Sequence, residues 1–282
     1  MTVILATDLD RTLFPNGQQH DDRMMPAFRR FIEEHRIPLV FVTGRNLRQI
    51  ENGMERYHAP APDYAIAEVG TRFYCQDQGK LTEEDDFIRH IADNTRGWDV
   101  TAFQRALACL PLRRQPEENQ NRFKLSYFLD DLDRAGAVRQ EAAERLAELT
   151  PDARLIWSID ETEDVGLLDV LPRRANKMEA LEYLRQRLDV PKETIVYCGD
   201  SGNDLLPLTH GYRAVLVANA IDEVRAELEK VAREKGLLDR TYFAAGDPGR
   251  GLSGNYVSGI LEGLLHFGIL SEEEWVRLNR GG

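Results

Sequence analysis

Short apolar runs and amphipathic stretches alternate along both ends of this chain. Val3-Ile4-Leu5-Ala6 is a continuous apolar run and reads as a strand. Met25 to His35 follows, with Phe28, Phe31 and Ile32 spaced along one face of a helix. Pro38 introduces Leu39-Val40-Phe41-Val42, the uninterrupted apolar pattern of a strand covered on both faces. Asn46 to Tyr57 suits a helix and Tyr64 to Val69 a further strand. The rhythm resumes after Asn176. Lys177 to Leu188 places Met178, Leu181, Leu184 and Leu188 at helical spacing and stops before Pro191. Ile195-Val196-Tyr197-Cys198 and Ala214-Val215-Leu216-Val217 read as strands, and Ile221 to Lys235 as a charged surface helix. Such alternation predicts an α/β fold, a doubly wound parallel sheet with helices on both faces.

The middle of the chain has another texture. Glu83 to Leu110 predicts helices, and Pro111 to Asn121 is polar and loop-like. Asn121 to Leu129 reads as a strand, with Phe123, Leu125 and Tyr127 alternating against Lys124, Ser126 and Phe128. Ala135 to Leu149 is helical in period. Arg154 to Ser158 and Val165 to Leu171 are strands able to pair antiparallel through the acidic turn Asp160-Glu161-Thr162-Glu163-Asp164. These elements predict an α+β module at 81–172, inserted into a core made of 1–80 and 173–282.

Composition narrows the function classes. The chain has 282 residues, enough for one large or two modest domains, and a formal net charge of -12. That charge argues against a nucleic-acid or anionic-membrane partner. It leaves room for a phosphorylated substrate, because a bound metal and a few basic residues make a local positive pocket. Cys75, Cys109 and Cys198 form no CxxC or Cys/His spacing and read as reduced thiols. No apolar run nears the roughly 20 residues that span a bilayer, and the chain starts on a strand without a signal-like segment. The expectation is a cytoplasmic protein.

The candidate chemistry lies where core strands end, the place where open α/β sheets bind ligands. Asp8-Leu9-Asp10-Arg11-Thr12 puts two carboxylates and a hydroxyl on the turn leaving the first strand. Thr43-Gly44-Arg45 follows the second, offering a hydroxyl and backbone N–H groups at a helix start, a setting that favours phosphate. Gly199-Asp200-Ser201-Gly202-Asn203-Asp204 follows Ile195 to Cys198, and its two acids suit Mg²⁺, which takes few carboxylates and keeps waters. Lys177 opens a helix, where the dipole disfavours a cation. Each feature also has a plainer reading: a solvated acidic turn, a helix cap with an exposed Arg, or a Lys reaching into solvent.

Together, and in this order, the four segments resemble the haloacid-dehalogenase superfamily of phosphatases. An insert between the Thr43 turn and Lys177 is similar to the Cof-type branch, whose cap domain lies there. The resemblance implies Asp8 as nucleophile, forming an aspartyl-phosphate, and Asp10 as general acid and then general base. It implies Thr43 and Lys177 on the phosphoryl oxygens, and Thr12, Gly44 and Arg45 shaping the phosphate-binding loop. Mg²⁺ would be held by Asp8, the main-chain carbonyl of Asp10, and Asp200, with Asp204 acting through water and Asn203 steadying the loop. Arg11 departs from the pattern, as many members carry a small residue there. Its side chain points either away from the pocket or toward the leaving group.

Asp8 to Leu13, Val69-Gly70-Thr71, Asn121 to Tyr127, Leu168 to Pro172 and Ser258 to Gly263 further resemble sucrose-phosphate phosphatases and related glycosyl-phosphate phosphatases. On a strand Arg122, Lys124 and Ser126 would share one face, and the resemblance sets them against the sugar; a solvated face is the plainer alternative. Asn255 and Tyr256 are weaker candidates for the same pocket. The implied substrate is a sugar or glycoside phosphate, such as sucrose 6-phosphate or the phosphate of glucosylglycerol, mannosylfructose or glycosylglycerate, with a glycosyl-phosphate synthase as a conceivable partner. A phosphomannomutase-like sugar phosphomutase and a non-catalytic sugar-phosphate-binding regulator are the alternatives.

Overall fold

The computed structural model describes residues 3–160 and 163–280. In chain order the elements begin with β1 (Ile4–Thr7), α1 (Met25–His35), β2 (Leu39–Val42), α2 (Leu47–Tyr57), β3 (Tyr64–Ala67), β4 (Arg72–Asp77) and β5 (Lys80–Glu83). The central part contains α3 (Asp85–Asp93), α4 (Val100–Leu107), β6 (Arg113–Arg114), β7 (Leu125–Leu129), α5 (Ala135–Leu149), β8 (Ala153–Asp160) and β9 (Val165–Pro172). The last part contains α6 (Lys177–Arg187), β10 (Ile195–Gly199), α7 (Leu205–Leu208), β11 (Arg213–Leu216), α8 (Asp222–Glu234), β12 (Thr241–Phe243), α9 (Tyr256–His266) and α10 (Glu272–Arg280).

An eight-stranded sheet runs in the order β12-β11-β10-β1-β2-β3-β4-β5. It is parallel from β12 to β3, and β4 and β5 close it antiparallel. The period of two sends neighbouring side chains to opposite faces. Leu5, Phe41, Val196 and Cys198 join one core with α1, α9 and α10. Ile4, Ala6, Val40, Val42 and Tyr197 join the other, with α3, α6 and α8. The direction of winding changes at β1, and Thr7 stands in register with Phe41 on one side and Cys198 on the other. The turns carrying Asp8, Thr43 and Asp200 therefore leave the sheet side by side.

A second, four-stranded antiparallel sheet runs β6-β7-β9-β8. Leu125, Tyr127, Leu168 and Val170 pack one of its faces against Phe103, Leu107, Val138 and Leu146 of α4 and α5. β8 and β9 pair antiparallel, as the pattern predicts. Glu161 and Thr162 of the acidic turn lie outside the described residues.

Two expected strands are shorter than their composition suggests. β3 ends at Ala67, and Glu68, Val69 and Gly70 all take positive φ (49°, 62° and 93°). Tertiary hydrogen bonds impose that turn: Glu68 N donates to Arg45 O (3.0 Å) and Val69 N to Thr43 O (3.0 Å). Gly70 has a second reason for being glycine, since a Cβ there would stand 2.3 Å from the Asn176 carbonyl carbon. The strand expected from Asn121 begins only at Leu125. Asn121 and Lys124 instead exchange backbone hydrogen bonds (3.1 and 3.2 Å) across a tight turn. Arg122 is thus in a turn, not on a strand face with Lys124 and Ser126.

Candidate active site

Lys177 explains its own placement. The Asn176 side chain caps α6 by accepting from Glu179 N (3.0 Å), so the helix starts with Lys177 turned inward. Its buried ammonium donates to Asp8 Oδ1 (2.9 Å), Asp204 Oδ1 (2.8 Å) and Asn203 Oδ1 (2.9 Å). A cation unfavourable to the helix dipole is held by two carboxylates from other strand ends. Asp204 also accepts from Tyr197 OH (2.7 Å), Ser201 Oγ (3.0 Å) and the amides of Asp200 and Ser201 (3.2 and 3.1 Å). Gly199 permits this loop, because a Cβ there would stand 2.6 Å from Asp204 Cβ. Thr12 donates to Asp200 Oδ1 (3.0 Å) and Thr43, fully buried on the adjacent strand tip, accepts from Arg45 N (3.1 Å). Gly44 between them is exposed.

Charge in this cluster is unbalanced. Asp8, Asp200 and Asp204 can each bring one oxygen within 4.8 Å of the others, and all three are buried. Burial pushes the Asp8 carboxyl well up; Lys177 opposes that rise while Asp204 and Asp200 add to it. Burial first and Asp204 second push Asp200 up to about 7. Lys177 goes up as well: burial opposes its charge, but Asp204 and Asp8 outweigh burial. One ammonium among three acids leaves net negative charge, and a divalent cation would reverse the upward shifts of the acids. The donors are all hard oxygens, the set that Mg²⁺ prefers.

Asp10 and Arg45 form a separate unit. The Arg45 guanidinium holds the half-exposed Asp10 carboxylate through Nε (3.0 and 3.1 Å) and Nη2 (2.6 Å). Asn16 Nδ2 adds a third donor to Asp10 at 2.6 Å. Arg45 also lies over the Phe14 ring (5.0 Å) and donates to Gln49 O (3.0 Å). Arg11, at φ 61°, turns toward the metal-ligand candidates: Nε is 3.5 Å from Asp200 Oδ2 and Nη2 donates to Asn219 O (3.0 Å).

On the insert, Ser126 donates to Asp169 Oδ1 (2.6 Å) and Lys124 Nζ lies 3.9 Å from Asp169 Oδ2. Both Lys124 and Ser126 are buried, so their face is not a solvated one. The Arg122 guanidinium instead stacks on Phe123 (5.3 Å). Asn255 and Tyr256 brace the loop after β1, donating to His20 O (3.3 Å) and Gln19 O (3.2 Å). Sequence reasoning missed Asn16, Asp169 and Tyr197. Asn16 carries no local signal, Asp169 lies in the Leu168 to Pro172 segment that carries the resemblance, which assigns it no role, and Tyr197 reads as one more apolar residue of a strand.

Sheet order, insert position and acid-lined switch point define a haloacid-dehalogenase-like fold. The family profile for sucrose-6F-phosphate phosphohydrolase matches residues 1–268, and the chain belongs to that family of phosphoric monoester hydrolases. A HAD-like hydrolase from Nitrosococcus oceani is 39% identical over 94% of this chain and 71% of its own length. A mannosylfructose-phosphate phosphatase from Agrobacterium fabrum is 29% identical over 94% of this chain and 97% of its own. The solved sucrose-phosphatase from Synechocystis, in complex with sucrose and phosphate, is similar in fold. It has a TM-score of 0.72 and 23% identity, covering 94% of this chain and 98% of that one. Among the described residues no helix is long and apolar enough to cross a membrane.

Proposed function

We propose that this protein is a Mg²⁺-dependent phosphatase of a glycoside phosphate, working in the cytoplasm. The observation that carries the reading is the buried Asp8–Lys177–Asp204 ion-pair network with Asp200 beside it, at the sheet's switch point. Asp8, the main-chain carbonyl of Asp10, and Asp200 would hold Mg²⁺, with Asp204 behind them through water. Bound there, the metal supplies positive charge to the phosphoryl oxygens.

Asp8 attacks phosphorus, and the bond from phosphorus to the leaving sugar oxygen breaks. Asp10 gives that alkoxide its proton. In the second step Asp10 takes a proton from water as the water oxygen attacks the aspartyl-phosphate, releasing phosphate and restoring Asp8. Lys177, Thr43 and the Gly44 backbone N–H meet the phosphoryl oxygens, while Thr12 and Asn203 keep Asp200 and Lys177 in place. For Asp10 to reach the leaving group, Arg45 must exchange its partner, and an incoming phosphate is a suitable one.

The inserted module that carries β6 to β9 acts as a cap that closes on the sugar, with Lys124, Ser126 and Arg122 on its substrate side. Relatives named for mannosylfructose phosphate and for sucrose support a disaccharide-like substrate. Phosphate release from sucrose 6-phosphate and related esters, with and without Mg²⁺, tests the reading. Wild type should turn over and Asp8→Asn should be inactive. Isomerisation of a hexose 1-phosphate without net phosphate release would point to a mutase instead.

A further inference from the structure

Arg11 takes no part in the phosphoryl chemistry above, yet the turn after β1 holds it in a strained backbone. Its φ is 61°, a left-handed conformation that glycine tolerates and that a long side chain rarely adopts. Hydrogen bonds fix it there from both ends. Arg11 N donates to Phe14 O (3.1 Å) and Asn16 Oδ1 (2.8 Å), and Arg11 O accepts from Nδ2 of the buried Asn219 (2.6 Å). Asn219 is itself held, its Oδ1 accepting from Tyr256 N (2.9 Å). The Asn219 carbonyl also takes the guanidinium, through Nη2 (3.0 Å). One residue beyond β11 thus grips Arg11 by backbone and side chain together.

That grip aims the guanidinium at Asp200. Arg11 Nε lies 3.5 Å from Asp200 Oδ2 and, though buried, makes no hydrogen bond among the described residues. At that distance the attraction is between charges, without the directional bond that would lock it. The other two acids are held more firmly. Asp8 and Asp204 share Lys177 at 2.9 and 2.8 Å, and Asp204 accepts besides from Tyr197, Ser201 and two amides. Asp200 has the Thr12 hydroxyl on Oδ1 (3.0 Å), and Arg11 is the partner of its Oδ2 among the described residues. The Arg11 side chain is 41% exposed, so the guanidinium has room to leave Asp200 without disturbing the core.

We propose that Arg11 is a displaceable internal counter-ion for Asp200, which holds the acid turn together while no metal is bound and competes with the divalent cation for that carboxylate. The proposal rests on the reading of Asp8, Asp10 and Asp200 as the Mg²⁺ site and adds what tunes its affinity. The sign follows from charge. A guanidinium beside a divalent cation repels it, and the cation must part Asp200 from Arg11 before it binds. Metal therefore binds less tightly than the acids alone would allow. A small residue at this position, which the backbone would accept more readily, would give the tighter site.

Arg11→Gly removes the charge and suits the backbone, while Arg11→Lys keeps a charge on the same backbone. Titration calorimetry with Mg²⁺ and no substrate gives the first readout. Arg11→Gly should bind about ten-fold more tightly than wild type, the size of one like charge removed from a partly exposed site. Arg11→Lys should stay within about two-fold of wild type. The rise in melting temperature on adding Mg²⁺ gives the second readout, and it cancels any strain that glycine relieves with and without metal. That rise should be larger in Arg11→Gly than in wild type. Unchanged affinity in Arg11→Gly overturns the counter-ion and leaves the metal site standing. Weaker affinity overturns it too, since Arg11 would then support Asp200 as a ligand, and so does equal tightening in Arg11→Lys, which would make shape and not charge responsible. Failure of wild type and Arg11→Gly alike to bind Mg²⁺ overturns the metal site and the counter-ion together.

Discussion

Lys177 shows how one side chain is fixed by what it costs to bury it. A lone buried ammonium is unfavourable by several kcal/mol, so it must be paired and hydrogen-bonded, and here Asp8, Asp204 and Asn203 do both. Tyr197 is the hidden support, because its buried hydroxyl and the Lys177 ammonium share Asp204 Oδ1. Tyr197→Phe keeps the ring in the core and removes one donor. It should cost about 1–2 kcal/mol in urea unfolding and lower kcat several-fold by loosening Lys177. Unchanged stability and kcat would deny the tyrosine that role. A second expectation concerns pH. Asp200 has an ordinary value of 3.8 and a folded value near 7, so between those limits the folded state binds more protons than the unfolded one. Stability of the metal-free protein should therefore fall as pH rises from about 4 to about 7 and stay low above that. Mg²⁺ should recover most of the loss at pH 7.5, because it favours the ionised acids. A metal-free melting temperature that rises over this range would contradict the argument.

At the scale of elements, apolar runs covered on both faces are unambiguous, and β1, β2, β10 and β11 were all legible within a residue or so. The acids at their ends were legible too, because a parallel sheet puts ligands at strand carboxyl ends. What escaped were segments whose backbone is set by distant partners. The end of β3 follows the turn after β2 through Thr43 O and Arg45 O, which no local pattern reports. Asn121 to Lys124 alternates like a strand yet turns, held by Asn121 reaching across to Glu68 Oε2 (2.6 Å) and Thr71 Oγ1 (2.9 Å). The Arg45–Asp10 clamp was invisible for the same reason: both residues carried a phosphate-handling signal, but nothing local says that they pair. Gly70 gives the test of this tertiary control. Gly70→Ala meets both a positive φ and the Asn176 backbone, which cannot swing aside as a side chain could. We expect a loss of about 2–4 kcal/mol, read from denaturant midpoints. Because Asn176 caps the helix carrying Lys177, activity should fall further than the unfolded fraction accounts for.

Over the whole molecule, the buried acid cluster sits on the eight-stranded sheet and the proposed cap on the four-stranded one, so the proposed function depends on the seam between them. Asn121 is a principal tie, carrying hydrogen bonds from the insert to Glu68 and Thr71 of the core, and Asn46 Nδ2 to Glu118 O (3.5 Å) is a longer second one. Glu68 itself follows β3 and pairs with Arg72 (3.0 Å). A cap must open for substrate and close to exclude water; at this seam the Asn121 hydrogen bonds lie beside Phe123, which is buried in the same cluster as Phe73, Phe87 and Ile91. Asn121→Ala removes the tie without touching either core. Hydrogen exchange should then quicken at residues 115–126 and in the turn 68–71, while the strands β1, β2 and β10 keep their protection. On the proposed cap reading, turnover of a bulky glycoside phosphate should suffer more than that of a small aryl phosphate, because only the former would be held by both core and insert. Uniformly faster exchange across the eight-stranded sheet would mean that Asn121 stabilises the fold as a whole, and the seam would then not be an independent joint.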